Sequence, residues 1–136
     1  MNTNIYSVVW LDHLQAKIYQ VNSRDTDPMY IHTNQTGQHL QHKANVPGSG
    51  HNGIDAEFFK RVASALEKSD SVLITGPGTA KNEFNNYLDK THPALSGRVR
   101  GLETLDHPSE TFLVSLARSF FKTNDPTFKI VGSTKH

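Results

Sequence analysis

The first apolar positions along the chain follow a β-like pattern. Ile5 to Leu11 (IYSVVWL) is rich in β-branched and aromatic residues and predicts a buried strand. After the turn signal Asp12-His13, residues Ala16 to Val21 (AKIYQV) alternate, with Ile18 out of phase with Lys17 and Tyr19. That alternation predicts a second strand closing a hairpin. The polar turn NSRDTDP leads to a third strand at Met29 to Thr33. Three strands with short links predict an antiparallel meander.

The period then changes. Residues 34–53 carry almost no periodic apolar signal, and a run of that length inside a compact domain points to function or to disorder. Phe58, Phe59, Val62, Ala63 and Leu66 recur at helical spacing, leaving Glu57, Lys60, Arg61 and Glu67 for solvent. Ser71 to Thr75 (SVLIT) is nearly continuous in apolar character, the mark of a central strand covered on both faces. GPGTA breaks it, and a second helix from Lys81 to about Lys90 buries Phe84, Tyr87 and Leu88. Arg98 to Leu105 predicts a fifth strand, weakened by Gly101. Ser109 caps a third helix with Phe112, Leu113, Leu116, Ala117, Phe120 and Phe121 inside. The order βββαβαβα predicts an α/β domain on a five-stranded mixed sheet, with helices packed on at least one face. Residues 1–121 make up this domain, and 122–136 form a tail that adds a short strand or stays loose.

At 136 residues the chain has the size of one domain, able to bury about two-thirds of the surface its unfolded form exposes. With 35% hydrophobic and 20% charged residues it reads as a soluble globular protein. No stretch approaches the roughly 20 apolar residues that span a bilayer, and the opening MNTNIYSVVW lacks the layout of a signal peptide. The expectation is a cytoplasmic protein without a membrane partner. The chain has no cysteine, so disulfides, thiolate metal sites and thiol catalysis are excluded.

The net charge of +1 matters less than its distribution. Between Asp27 and Asp55 there is no acidic residue, while His32, His39, His42, Lys43 and His51 fall in that interval. One reading is a polar loop that happens to lack acids; the other is a locally positive surface suited to phosphates. Histidine is mostly neutral near pH 7, so the field stays weak until an anion raises the imidazole pKa values.

Three constellations bear on chemistry. Strand, glycine-rich turn and helix in LITGPGTAKNEF can present backbone N–H groups to an anion. The segment matches neither the phosphate-binding loop nor G-x-G-x-x-G. The favoured reading is a tight turn in which Gly76 and Gly78 supply backbone conformations closed to other residues. Lys81 nevertheless stands in the first turn of a helix, where a cation opposes the dipole by roughly 0.3–1 kcal/mol. An anion partner would remove that penalty. A metal site on His39 and His42, with His51 and His32, is not expected, because LQHK has no helical start signal and no carboxylate lies nearby. No cofactor is implied. A Ser-His-Asp triad carries no weight without the elbow G-x-S-x-G. Arg98 and Arg100, two apart on an expected strand, could share one face as an anion contact, the alternative being a pair that only solubilises the surface.

The segments VLITGPGTAKNEFNNYL and VVWLDHLQAKIYQV resemble the central domain of the Pelota ribosome-rescue factors and of the class 1 release factors of archaea and eukaryotes. That family has an apolar strand followed by a turn and helix of the type GPG-x-x-K-x-x-F-x-x-Y-L, here Gly76, Pro77, Gly78, Lys81, Phe84, Tyr87 and Leu88. The opening hairpin, the long loop and the final capped helix come in the same order, so the resemblance spans about Ile5 to Phe121. It implies an RNase H-like α/β domain of the translational-machinery type, similar to stand-alone bacterial relatives of the release factors. In the release factors the long loop carries a Gly-Gly-Gln tip that enters the peptidyl transferase centre. VPGSGHNG, Val46 to Gly53, occupies the corresponding place without that motif. Gly48 and Gly50 are separated by Ser49, His51 follows, and Gln38 stands beside a lone Gly37. The Pelota-like case, a central domain without the catalytic tip, is closer.

The leading expectation is therefore an RNA-binding module of translation that contacts ribosome or tRNA, with no DNA partner. Its RNA or anion contacts are His39, His42, Lys43, Gly48, Gly50, His51, Lys81, Arg98 and Arg100. The chain has no room for the family's codon-reading and partner-binding domains, so a protein partner supplying them is a further expectation. The enzyme alternative is a peptidyl-tRNA hydrolase acting through residues 46–53, with His51 as a weak catalytic candidate that lacks a partner to orient it. A third reading is a protein-interaction domain on the same fold.

Overall fold

The computed structural model describes residues 4–33 and 56–132. Within them lie five strands, β1 (Tyr6–Leu11), β2 (Gln15–Gln20), β3 (Met29–His32), β4 (Ser71–Gly76) and β5 (Val99–Thr104). The helices are α1 (Ala56–Leu66), α2 (Ala80–Thr91), the single turn α3 (Pro93–Ser96) and α4 (Glu110–Asn124). The sheet order is β3-β2-β1-β4-β5. β1, β2 and β3 pair antiparallel, whereas β4 lies parallel to both β1 and β5. This is the mixed five-stranded α/β fold expected from the order of elements. The parallel pairs need crossovers, and the helices supply them.

Burial follows the pleat. β1 and β4 are buried along their whole length, because both lie inside the sheet and both faces are covered. Val9, Leu11, Ile18, Val72 and Ile74 turn to one face and pack with Phe58, Phe59 and Val62 of α1 and Phe84 and Leu88 of α2. Tyr6, Val8, Trp10, Tyr19 and Leu73 turn to the other face, under Leu113, Ala117 and Phe121 of α4. The result is a three-layer arrangement with helices on both faces. Ser109 caps α4 by accepting from the Phe112 backbone N–H at 3.1 Å. No helix among the described residues is long and apolar enough to cross a membrane.

Two glycines act through space rather than through backbone freedom. Among the described residues only Gly132 has a positive φ, so Gly76 and Gly78 do not occupy the conformations the turn predicted for them. A β-carbon on Gly76 would stand 2.2 Å from the Leu11 carbonyl oxygen, whereas one on Gly78 would meet nothing within 4 Å. Gly101 lets the ring of Phe120 cross the last strand, at a point where a β-carbon would come within 2.8 Å of Cζ.

Beyond α4 the chain folds back. The Tyr6 hydroxyl donates to Asp125 Oδ2 at 2.7 Å, and the ring of Phe128 meets Tyr6 edge-on at 4.9 Å. Val131 then forms an isolated parallel bridge with Ser23.

Candidate nucleic-acid interface

Register decides which loops share an end of the sheet. Trp10 pairs with Thr75 and Gln15 with His32, so the C-terminal ends of β1 and β4, the start of β2 and the end of β3 lie at one edge. The β1–β2 turn, the GPG turn and the point where segment 34–55 leaves β3 therefore cluster together. Asp12 Oδ1 accepts from the backbone N–H groups of Leu14 and Gln15 at 2.8 and 3.0 Å, holding the hairpin turn. His13 Nε2 lies 2.9 Å from Glu83 Oε1 and ties that turn to the first turn of α2. Arg61 of α1 donates to the His32 carbonyl at 2.7 Å, and the Thr33 N–H donates to Leu14 O at 2.9 Å. The base from which the segment departs is thus held by α1 and by the hairpin.

Lys81 belongs to this end. Its ammonium turns back onto the loop and donates to the Gly78 carbonyl, and the residue is only 6% exposed. The electrostatic penalty of a cation in the first turn of a helix is thereby offset within the chain, since the carbonyl dipole takes the place expected for an anion. Thr79, the N-cap, makes no capping bond with its side chain; its hydroxyl instead reaches Glu83 Oε2 at 3.2 Å.

Arg98 and Arg100 lie together at the opposite end of β4. Arg98 Nη1 donates to the carbonyls of Ser69 at 2.6 Å and Glu67 at 3.2 Å, and its Nε to Ala94 at 3.2 Å. Arg100 Nε donates to Ser71 Oγ at 3.1 Å and its Nη2 to the Asp70 carbonyl at 3.2 Å. Both guanidinium groups tie the entry of β4 to the turn before β5. The fold therefore brings these two arginines together and separates them from Lys81 by the length of a six-residue strand, on the order of 17–20 Å. His39, His42, Lys43, Gly48, Gly50 and His51 lie outside the described residues. His13, Arg61 and Glu83 escaped sequence reasoning because their partners lie 29 and 70 residues away, a separation that leaves no local signature.

No family-level sequence profile matches the chain. It is 27% identical over 94 residues to the Protein pelota homolog of Methanocaldococcus jannaschii, a match covering 68% of this chain and 25% of that protein. It is 30% identical over 90 residues to the Protein pelota homolog of Archaeoglobus fulgidus, covering 65% of this chain and 24% of that one. The chain thus spans about a quarter of the length of these relatives. The crystal structure of Archaeoglobus fulgidus Pelota superposes with a TM-score of 0.53 at 15% identity, covering 90% of this chain and 37% of the other. That superposition is a likeness of fold.

Proposed function

Because the chain carries a domain of the Pelota and release-factor family, we propose that it is a translation-associated RNA-binding module that contacts ribosome or tRNA through segment 34–53. The observation that carries the reading is the 27–30% identity to Pelota homologues, joined to the shared five-stranded architecture. The placement of the segment's base supports it. An acid-free stretch that starts from a braced sheet end can approach phosphates without like-charge repulsion from its own side chains. Lys43 supplies the permanent charge, and His39, His42 and His51 gain protons as a phosphate draws near. Gly48 and Gly50 allow a close backbone approach. The glutamine that would organise a hydrolytic water has no counterpart beside a glycine pair, so the proposed role is contact rather than peptidyl-tRNA cleavage.

Co-sedimentation with purified ribosomes across a salt series tests the proposal. Binding at low salt that falls steeply as salt rises is expected, with a weaker association and a shallower slope for Lys43→Ala. Absence of binding at low salt, or binding indifferent to salt, overturns it.

A further inference from the structure

The face of the sheet under α4 carries a second feature, close to the sheet end just described. Trp10, Lys17 and Tyr30 face one another across β1, β2 and β3, since Trp10 pairs with Lys17 and Lys17 with Tyr30. The Lys17 ammonium stands 5.4 Å from the centroid of the Trp10 ring, and His107 lies on the same indole at 5.0 Å. The indole N–H donates to the carbonyls of Leu105 and Asp106 at 3.1 and 2.9 Å, so its orientation is set by the backbone. These groups, with Tyr19 and Glu110, enclose a cleft of about 160 Å³ whose rim rings, Tyr30 and His107, are exposed. Tyr19 and Glu110 also line an adjoining cleft of about 350 Å³, which adds Arg24, Thr26 and Arg118. The two clefts therefore adjoin, with Tyr19 and Glu110 lining both. Together they fall within the ~300–1,000 Å³ usual for a small-molecule site.

Each part selects a different chemical group. The aromatic half suits a flat ring, which stacks on Tyr30 and His107 while Lys17 supplies a donor to a ring nitrogen or carbonyl. A cationic guest is disfavoured there because the chain's own lysine already covers the indole. The second half gathers two like charges. Arg118 Nε donates to the Val21 carbonyl at 2.8 Å, which orients its guanidinium along the wall. Burial first, and then the charge of Arg24, hold Arg118 below the usual arginine range. An anion between the two guanidinium groups would relieve that repulsion. Glu110 excludes a site for anions throughout, and its carboxylate accepts hydrogen bonds from hydroxyl groups placed between the ring and the anion. Ring, hydroxyl-bearing linker and anion in that sequence describe a nucleotide.

We propose that the joined clefts bind one ribonucleotide unit, its base against Tyr30 and His107, its ribose hydroxyls on Glu110 and its phosphate between Arg24 and Arg118. The unit comes either from single-stranded RNA or from a free mononucleotide. This deepens the RNA-binding reading only in the first case; the site itself stands without it.

Trp10 is the only tryptophan of the chain, so its emission reports on this cleft alone. Titration with AMP is expected to change that emission saturably. Against AMP, dAMP should bind about tenfold more weakly, through loss of a hydroxyl bonded to a carboxylate. Glu110→Gln should abolish most of that discrimination. Tyr30→Ala should weaken AMP roughly five- to hundredfold. Arg24→Ala should weaken AMP while leaving adenosine unchanged, and far-UV circular dichroism confirms that each variant is folded. A short oligoribonucleotide that binds more tightly than AMP identifies RNA as the source, and equal or weaker binding identifies the free nucleotide. Lys43→Ala should leave the AMP titration unaltered, so failure of ribosome binding and failure of this site are separable. No saturable change with millimolar AMP, or equal affinity for AMP, dAMP and inorganic phosphate, overturns the proposal.

Discussion

Gly76 lies so close to Leu11 that a β-carbon there would stand 2.2 Å from the Leu11 carbonyl oxygen. The two residues end neighbouring parallel strands, and their approach allows the GPG turn to start flush with the hairpin tip. Gly76→Ala must push β4 away from β1 at the centre of the sheet and is expected to destabilise the fold by about 1–3 kcal/mol. Gly78→Ala meets no neighbour and no strained φ, and should stay within about 0.5 kcal/mol of wild type. Urea denaturation of the two variants checks the contrast, and equal effects would refute it.

Lys81 and Lys43 should separate cleanly by readout. Lys81→Met removes the donor to the Gly78 carbonyl and should lower stability by about 1 kcal/mol. Lys43→Ala should leave the denaturation midpoint unchanged while weakening ribosome association. A Lys81→Met protein of wild-type stability that nevertheless loses ribosome binding would restore Lys81 as a direct contact.

Gly101 and Phe120 should be coupled. Gly101→Ala brings a methyl group against the Phe120 ring and Leu73, at a cost of about 1 kcal/mol or more. In a Phe120→Ala background the cost should shrink, because the clashing ring has gone. A double-mutant cycle measures this, and additive effects would mean the strand, not the ring, opposes the substitution.

Acid should loosen the returning tail. The hydroxyl of Tyr6, followed by the hydroxyl and N–H of Thr127, donates to Asp125 and lowers its pKa below the usual carboxylate value. A carboxyl depressed in the folded state contributes stability above its unfolded pKa, about 3.9, and loses that contribution as pH falls through the lower folded value. Between pH 5 and 2 wild type should therefore lose more stability than Asp125→Asn, as followed by urea midpoints. Parallel pH profiles for the two proteins would remove the tail from the acid response.

Much of the architecture was legible because period alone carries it. The alternation of Ala16 to Val21, the unbroken apolar run at Ser71 to Thr75 and the helical spacing of Phe58 to Leu66 each report the faces their element must bury. The cap at Ser109 was equally local. The reason for Gly76 was not, because a glycine read in sequence suggests turn conformation, whereas here it answers to a carbonyl on a strand 65 residues earlier. Arg98 and Arg100 were read as a pair on one strand, but Arg98 precedes β5, and their acceptors on the turn before β4 left no local signal.

The sequence by itself determined the five strands and major helices, the absence of thiol chemistry and the acid-free interval between Asp27 and Asp55, since all of these are properties of neighbours along the chain. Tertiary structure alone decided that Lys81 faces Gly78 rather than solvent. It also placed helices on both faces and brought Tyr19, Arg24, Glu110 and Arg118 to one cleft. The physical reason is that a parallel crossover joins residues far apart in the chain, and neither their proximity nor their hydrogen-bond partners leave any period in the sequence between them.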